Sequence, residues 1–138
     1  MYVRFLREND NQSDNQKSEE TADVMQRLAS IPELDVNTGL DYCMDRDFYE
    51  EVLREYMLAD KVDKIEQFFN EKDWNNYRTL VHALKSTSLT IGAVSLSDEA
   101  KALEMAAKDG DEDYIISHHR AVVEKYRSLS DKLRSILK

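Results

Sequence analysis

Among the residues of this 138-residue chain, His82 is the one best placed to do chemistry. It lies in the segment Trp74 to Ala93 (WNNYRTLVHALKSTSLTIGA), whose apolar residues recur at helical spacing. At roughly 100° per residue the core face gathers Tyr77, Leu80, Val81, Leu84, Ser88 and Ile91, and His82 falls roughly 160° from its centre. The imidazole is therefore expected to face water. The stripe through it reads Thr79, His82, Ser86, Leu89, Ala93, with no charged side chain in a chain that is 34% charged. Small neutral neighbours let another protein's surface approach the ring, and Leu89 adds an apolar contact. Arg78 and Lys85 flank the stripe, and Lys85 lies within reach of His82 on the helix surface.

An imidazole, with an ordinary pKa of about 6.5, is largely neutral at pH 7 and can act as a nucleophile. A phosphoryl group on its nitrogen would bring negative charge that a neighbouring ammonium stabilises. The chain has no Gly-rich phosphate loop and no room for a nucleotide-binding domain. The histidine would have to exchange phosphoryl with a partner that brings its own metal and aspartate.

The elements that must hold this stripe are helical. Three Gly and one Pro are too few for the turns of an all-β protein of this length. Residues Arg7 to Glu20 (RENDNQSDNQKSEE) contain no apolar residue, so 1–20 is expected to be a flexible polar leader or linker and 21–138 the folded domain. Val24, Met25 and Leu28 suggest a short helix ended by Pro32, followed by an extended connector and a turn of helix around Leu40 and Tyr42. Asp45 or Asp47 can cap a helix with Phe48, Val52, Tyr56 and Ala59 on one face and Leu53 and Met57 beside them. Its stripe continues through Ile65, Phe68 and Phe69, with a break near Asp60. Asp73 can cap the His82 helix, and Ser95 with Asp98 resembles the start of another. That helix faces inward with Leu96, Ala100, Leu103 and Ala107 and stops at Gly110. Asp111 can cap the last helix, whose stripe reads Ile115, His118, Val122, Tyr126, Leu129, Leu133, Ile136. Short connections make neighbouring helices antiparallel. The expected fold is thus all-α, an up-down-up-down four-helix bundle with a short N-terminal capping helix.

Composition removes other functions. A net charge of −9 argues against general nucleic-acid binding, though not against one local basic patch. No apolar run approaches the roughly 18 residues of a membrane span, and no signal peptide is visible, so no membrane contact by this chain is expected. Cys43 is the single cysteine, and a reducing cytoplasm is the expected location. His118 is expected to pack at a bundle edge with His119 at its margin. Di-iron bundles need Glu-x-x-His pairs, but Thr79, Ile115 and Ile116 stand three residues before the histidines, so no metal site is expected. Met25, Met44, Met57 and Met105 are expected to fill the core.

The segment HALKSTSLTIGAVSLSDEAKALEMAAKDGD resembles the histidine-containing phosphotransfer (HPt) domain of bacterial two-component phosphorelays. The family's pattern falls on His82, Leu84, Lys85, Ser86, Ser88, Ile91, Gly92, Ala93, Leu96, Ser97, Leu103, Glu104, Gly110 and Asp111. Upstream, IPELDVNTGLDYCMDRDFYEEVLREY is similar to the family's preceding segment, with Gly39, Leu40 and Tyr49 in register. Ser86 departs from the glycine often found there, but serine is still small. The resemblance implies that His82 accepts phosphoryl from a receiver aspartate or passes it to one, and that Lys85 steadies the group. Arg78, Thr79, Ser86, Leu89 and Ala93 would meet the partner, while Glu104 reads as structural. It implies no cofactor on this chain, the divalent metal belonging to the receiver. The expected partners are response-regulator receiver domains, and a rival reading makes this chain a piece of a hybrid histidine kinase. The chain itself would be a monomer without nucleotide-dependent kinase activity. A helical interaction module that binds a receiver or kinase without carrying phosphoryl is the alternative.

Overall fold

The computed structural model describes residues 23–137, which are helical with no strand among them. The expected leader over 1–20 lies outside the described residues. Helix α1 covers 23–29, and it is followed by α2 (Val36–Cys43), α3 (Arg46–Leu58), α4 (Val62–Asn70), α5 (Trp74–Ile91), α6 (Val94–Asp109) and α7 (Glu112–Leu137). Helix α5 packs on α6, α6 on α7 and α7 on α3, while α4 touches α5 and α7 and α2 lies against α3 and α5. No described helix is long and apolar enough to cross a membrane.

Most boundaries have the expected cause. The Asp73 carboxylate accepts from the Asn76 amide at 3.3 Å and starts α5, and Asp111 does the same for Tyr114 at 3.1 Å at the start of α7. Of the two candidates for α3, Asp45 is the cap, accepting from the Phe48 amide at 3.0 Å. The break between α3 and α4 is closed by Asp60, which takes the Val62 amide at 2.7 Å, and by the Tyr126 hydroxyl, which takes the Lys61 amide at 3.1 Å.

Three expectations are corrected. The inner face of α3 is Tyr49, Leu53, Tyr56 and Met57, while Phe48 is 52% exposed, Val52 is half-buried and Ala59 is exposed. The helix is rotated from its most apolar arc because Tyr49 and Tyr56 each have a buried partner. Tyr49 donates to the Ile91 carbonyl at 2.8 Å, and Tyr56 shares a 2.9 Å hydrogen bond with Ser88. Ser95 does not cap α6: Ala93 stands at that position without a side-chain bond, and Ser95 donates to Glu99 inside the helix. Met57 is in the core and Met25 packs against it, but Met44 and Met105 are exposed.

The turn between α5 and α6 is the tightest joint. Gly92 has φ 91°, a left-handed conformation, and the Ala93 amide returns to the Ser88 carbonyl at 2.8 Å. The Asp35 amide donates to the Gly92 carbonyl at 2.8 Å, so α2 starts directly on this turn. A Cβ at Gly92 would collide with the Asp35 carbonyl and the Gly39 backbone, whereas one at Gly110, with φ 75°, would meet nothing within 4 Å. Gly110→Ala is therefore expected to cost only the left-handed penalty of about 1–2 kcal/mol. Gly92→Ala adds a backbone clash and is expected to cost about 3 kcal/mol or more in urea unfolding. Equal losses for the two would show that the joint has room.

Candidate functional site

Helix α5 presents His82 to solvent with 57% of its side chain exposed. The two-residue turn at Gly92 and Ala93 sends α6 back beside α5, so positions equally far from the turn lie level. Glu104 on α6 thus comes beside His82 and Lys85. Its Oε2 lies 2.6 Å from His82 Nδ1 and its Oε1 lies 2.9 Å from Lys85 Nζ. One carboxylate, with only 15% of its side chain exposed, therefore holds both functional candidates. Ser97 adds a second tie, donating to the Lys85 carbonyl at 2.8 Å.

Burial alone would raise the Glu104 carboxyl, but hydrogen bonds and charge from Lys85 and His82 bring it below the usual carboxylate range. An ionised Glu104 can only accept. The Nδ1 of a neutral His82 must then carry the proton, which leaves the Nε2 lone pair free toward solvent. A shallow recess of about 420 Å³ beside the ring is lined by Asn75, Arg78, Thr79, His82 and Glu104.

The remaining stripe residues separate. Arg78, Thr79 and Ser86 are exposed around the histidine, and Leu89 is half-buried. Thr79 turns its hydroxyl to the Asn75 carbonyl at 3.1 Å. Ala93 is fully buried and does not belong to the surface. The reason is local: α5 ends at Ile91, Gly92 reverses the backbone, and a helical projection loses its meaning beyond it. Glu104, read from sequence as structural, is a contact of both His82 and Lys85, and Asn75 lines the recess without having been singled out. Counting back from the Gly92 turn is the signal that would have placed Glu104.

The other two histidines exchange their expected places. His118 is exposed, its ring stacked on Tyr114, while His119 is buried. His119 Nδ1 lies 2.9 Å from the Tyr77 hydroxyl, its Nε2 lies 2.5 Å from Glu66 Oε1, and Phe69 stacks on its ring at 3.7 Å. Polar partners on α4 and α5 draw it inward, which apolar periodicity alone could not show. Among the described residues no cluster of three His, Cys, Asp or Glu side chains could hold a metal.

The family model described as "Hpt domain" matches residues 50–131, more than half of the chain. The chain belongs to the Hpt domain family. Comparison with the curated proteins and with the solved structures gave no match. Hpt domains are phosphocarriers of phosphorelays and are not themselves kinases.

Two expectations follow from the geometry. Glu104→Ala is expected to remove the preference for the Nδ1–H tautomer of neutral His82, as read from its ring ¹⁵N shifts; an unchanged pattern would mean that Glu104 does not set it. Burial holds the His119 imidazole below its ordinary pKa, against an opposing pull from Glu66. The unfolded chain then binds a proton first, so stability should decline as pH falls below about 6.5. His119→Gln should flatten that decline in unfolding measurements above pH 5, where carboxylates contribute less. A slope that survives the substitution would assign it to another group.

Proposed function

We propose that this Hpt domain carries phosphoryl on His82, accepting it from the aspartate of a response-regulator receiver and passing it to another receiver. The observation that carries the reading is the shared carboxylate. Glu104 holds Nδ1–H, so the exposed Nε2 has its lone pair available, and it holds Lys85 beside the same ring. Nε2 attacks the phosphorus of the aspartyl phosphate, an N–P bond forms, and the P–O bond to the aspartate breaks to release its carboxylate. The ring keeps its Nδ1 proton and becomes cationic, and Glu104 stabilises that charge. Lys85 offsets the negative charge of the arriving phosphoryl group. Transfer onward is the same step reversed.

In this reading α3 with α4, α5, α6 and α7 are the four members of an antiparallel bundle, and α1 covers one end. Arg78, Thr79, Ser86 and Leu89 meet the receiver, which supplies the divalent metal, so this chain needs no cofactor. It acts as a cytoplasmic monomer without nucleotide-dependent kinase activity.

Incubation with a ³²P-labelled receiver tests this. The wild type is expected to take up acid-labile, alkali-stable label, and His82→Gln none, with unfolding stability within about 0.5 kcal/mol because the ring is exposed. Binding to receivers without labelling would instead favour the non-phosphorylated interaction module.

A further inference from the structure

Glu104 divides its carboxylate between His82 Nδ1 and Lys85 Nζ, so Lys85 meets an incoming group with part of its charge already compensated. A phosphoryl group carries about −1.5 to −2 at pH 7. A paired lysine and the cationic ring leave some of that charge unanswered, which calls for a second cation. Arg78 stands one helical turn before His82, about 6 Å along the α5 axis, and is exposed on the same face. Among the described residues no carboxylate pairs with its guanidinium, although the chain carries a net charge of −9.

Arg78 and His82 line one recess, and Asn75, a further turn back on α5, lines it with them. The Asn75 side-chain amide is exposed and makes no hydrogen bond among the described residues. The other two walls are already engaged. Thr79 gives its hydroxyl proton to the Asn75 carbonyl at 3.1 Å, and Glu104 turns its oxygens to His82 and Lys85. The groups left to act in the recess are therefore one guanidinium and one amide, both hydrogen-bond donors. The register set at Gly92 adds to the field around them. Counted from that turn, Lys108 on α6 lies level with Arg78 and Lys101 level with Lys85, and both lysines are exposed and unpaired among the described residues. Positive potential on this acidic chain thus gathers at the recess.

We infer that this recess is a phosphoryl-oxygen subsite, in which the Arg78 guanidinium grips two oxygens of the group carried on His82 Nε2 and the Asn75 amide donates to the third. The inference rests on the reading that His82 carries phosphoryl, and it gives Arg78 a role beyond meeting a partner's surface. A guanidinium is planar and permanently charged, and its fork of N–H donors matches two phosphoryl oxygens. The subsite belongs wholly to this chain, so it serves a small phosphoryl donor as well as a receiver. With phosphoramidate, Nε2 attacks phosphorus and a new N–P bond forms. The donor's own P–N bond breaks and ammonia leaves with its electron pair.

The test labels the wild type, Arg78→Ala and Arg78→Lys with phosphoramidate in the absence of any receiver, with His82→Gln as the unlabelled control. Arg78→Ala is expected to slow labelling about tenfold, the size of one charge-assisted hydrogen bond. It should also raise the midpoint of the phosphohistidine ³¹P titration by about one pH unit, because the guanidinium favours the dianion. Arg78→Lys keeps the charge and loses the fork, so it should restore the midpoint and only part of the rate. Docking to a receiver moves neither readout. An unchanged rate or an unshifted midpoint in Arg78→Ala overturns the subsite. Labelling by phosphoramidate that depends on Arg78, with no transfer from any receiver, upholds the subsite and overturns the phosphorelay reading. A wild type that phosphoramidate leaves unlabelled overturns the subsite, and one that receivers also leave unlabelled overturns both.

Discussion

The reversal of the chain at Gly92 is the constraint on which the site depends. A left-handed residue there lets α6 start with only two residues between it and α5, with no slack to adjust the register between them. That register sets Glu104 against His82 and Lys85, and Ser97 against the Lys85 carbonyl. The same turn receives the Asp35 amide, and the neighbouring Ile91 carbonyl receives the Tyr49 hydroxyl. Helices α2 and α3 are thus tied to the joint that positions the chemistry. The site needs no loop of its own, because its three polar groups stand on two rigid helices.

Glu104 illustrates how one partly buried carboxylate can organise a surface site. Withdrawn from solvent on α6, it has two cationic or donor groups to satisfy and so stays ionised. Its two oxygens divide the work between orienting the ring and restraining the ammonium. Lys85, with 27% of its side chain exposed, is consequently less free than a solvated lysine. The entropy of placing both groups is spent on folding and need not be met again when a partner arrives.

Two histidines in this chain show how environment divides one residue type between tasks. His82 is exposed and has one ring nitrogen committed. His119 is buried, stacked on Phe69 and bonded at both nitrogens, to Tyr77 and Glu66. With no nitrogen left for a substrate, it links α4, α5 and α7 as a structural element. A fully satisfied buried network of this kind specifies which helices meet, beyond what apolar packing alone demands.

Amphipathic period and capping chemistry made much of the architecture legible in the amino-acid order alone. The α5 limits, the Asp73 and Asp111 caps, the glycine stops and the outward direction of His82 all follow from local rules acting within a few residues. Helix α3 turns away from its most apolar arc, burying Tyr49, whose hydroxyl bonds a backbone carbonyl 42 residues away, and leaving Phe48 exposed. His119, not His118, is buried because its partners lie on other helices, beyond the reach of local periodicity. Ala93 left the surface stripe because the backbone ceases to be helical before it. Sequence by itself determined which helix carries His82 and which way it points. Tertiary structure alone decided what holds that imidazole, since the contact between His82 and Glu104 spans 22 residues and exists only once the Gly92 turn has set two helices side by side.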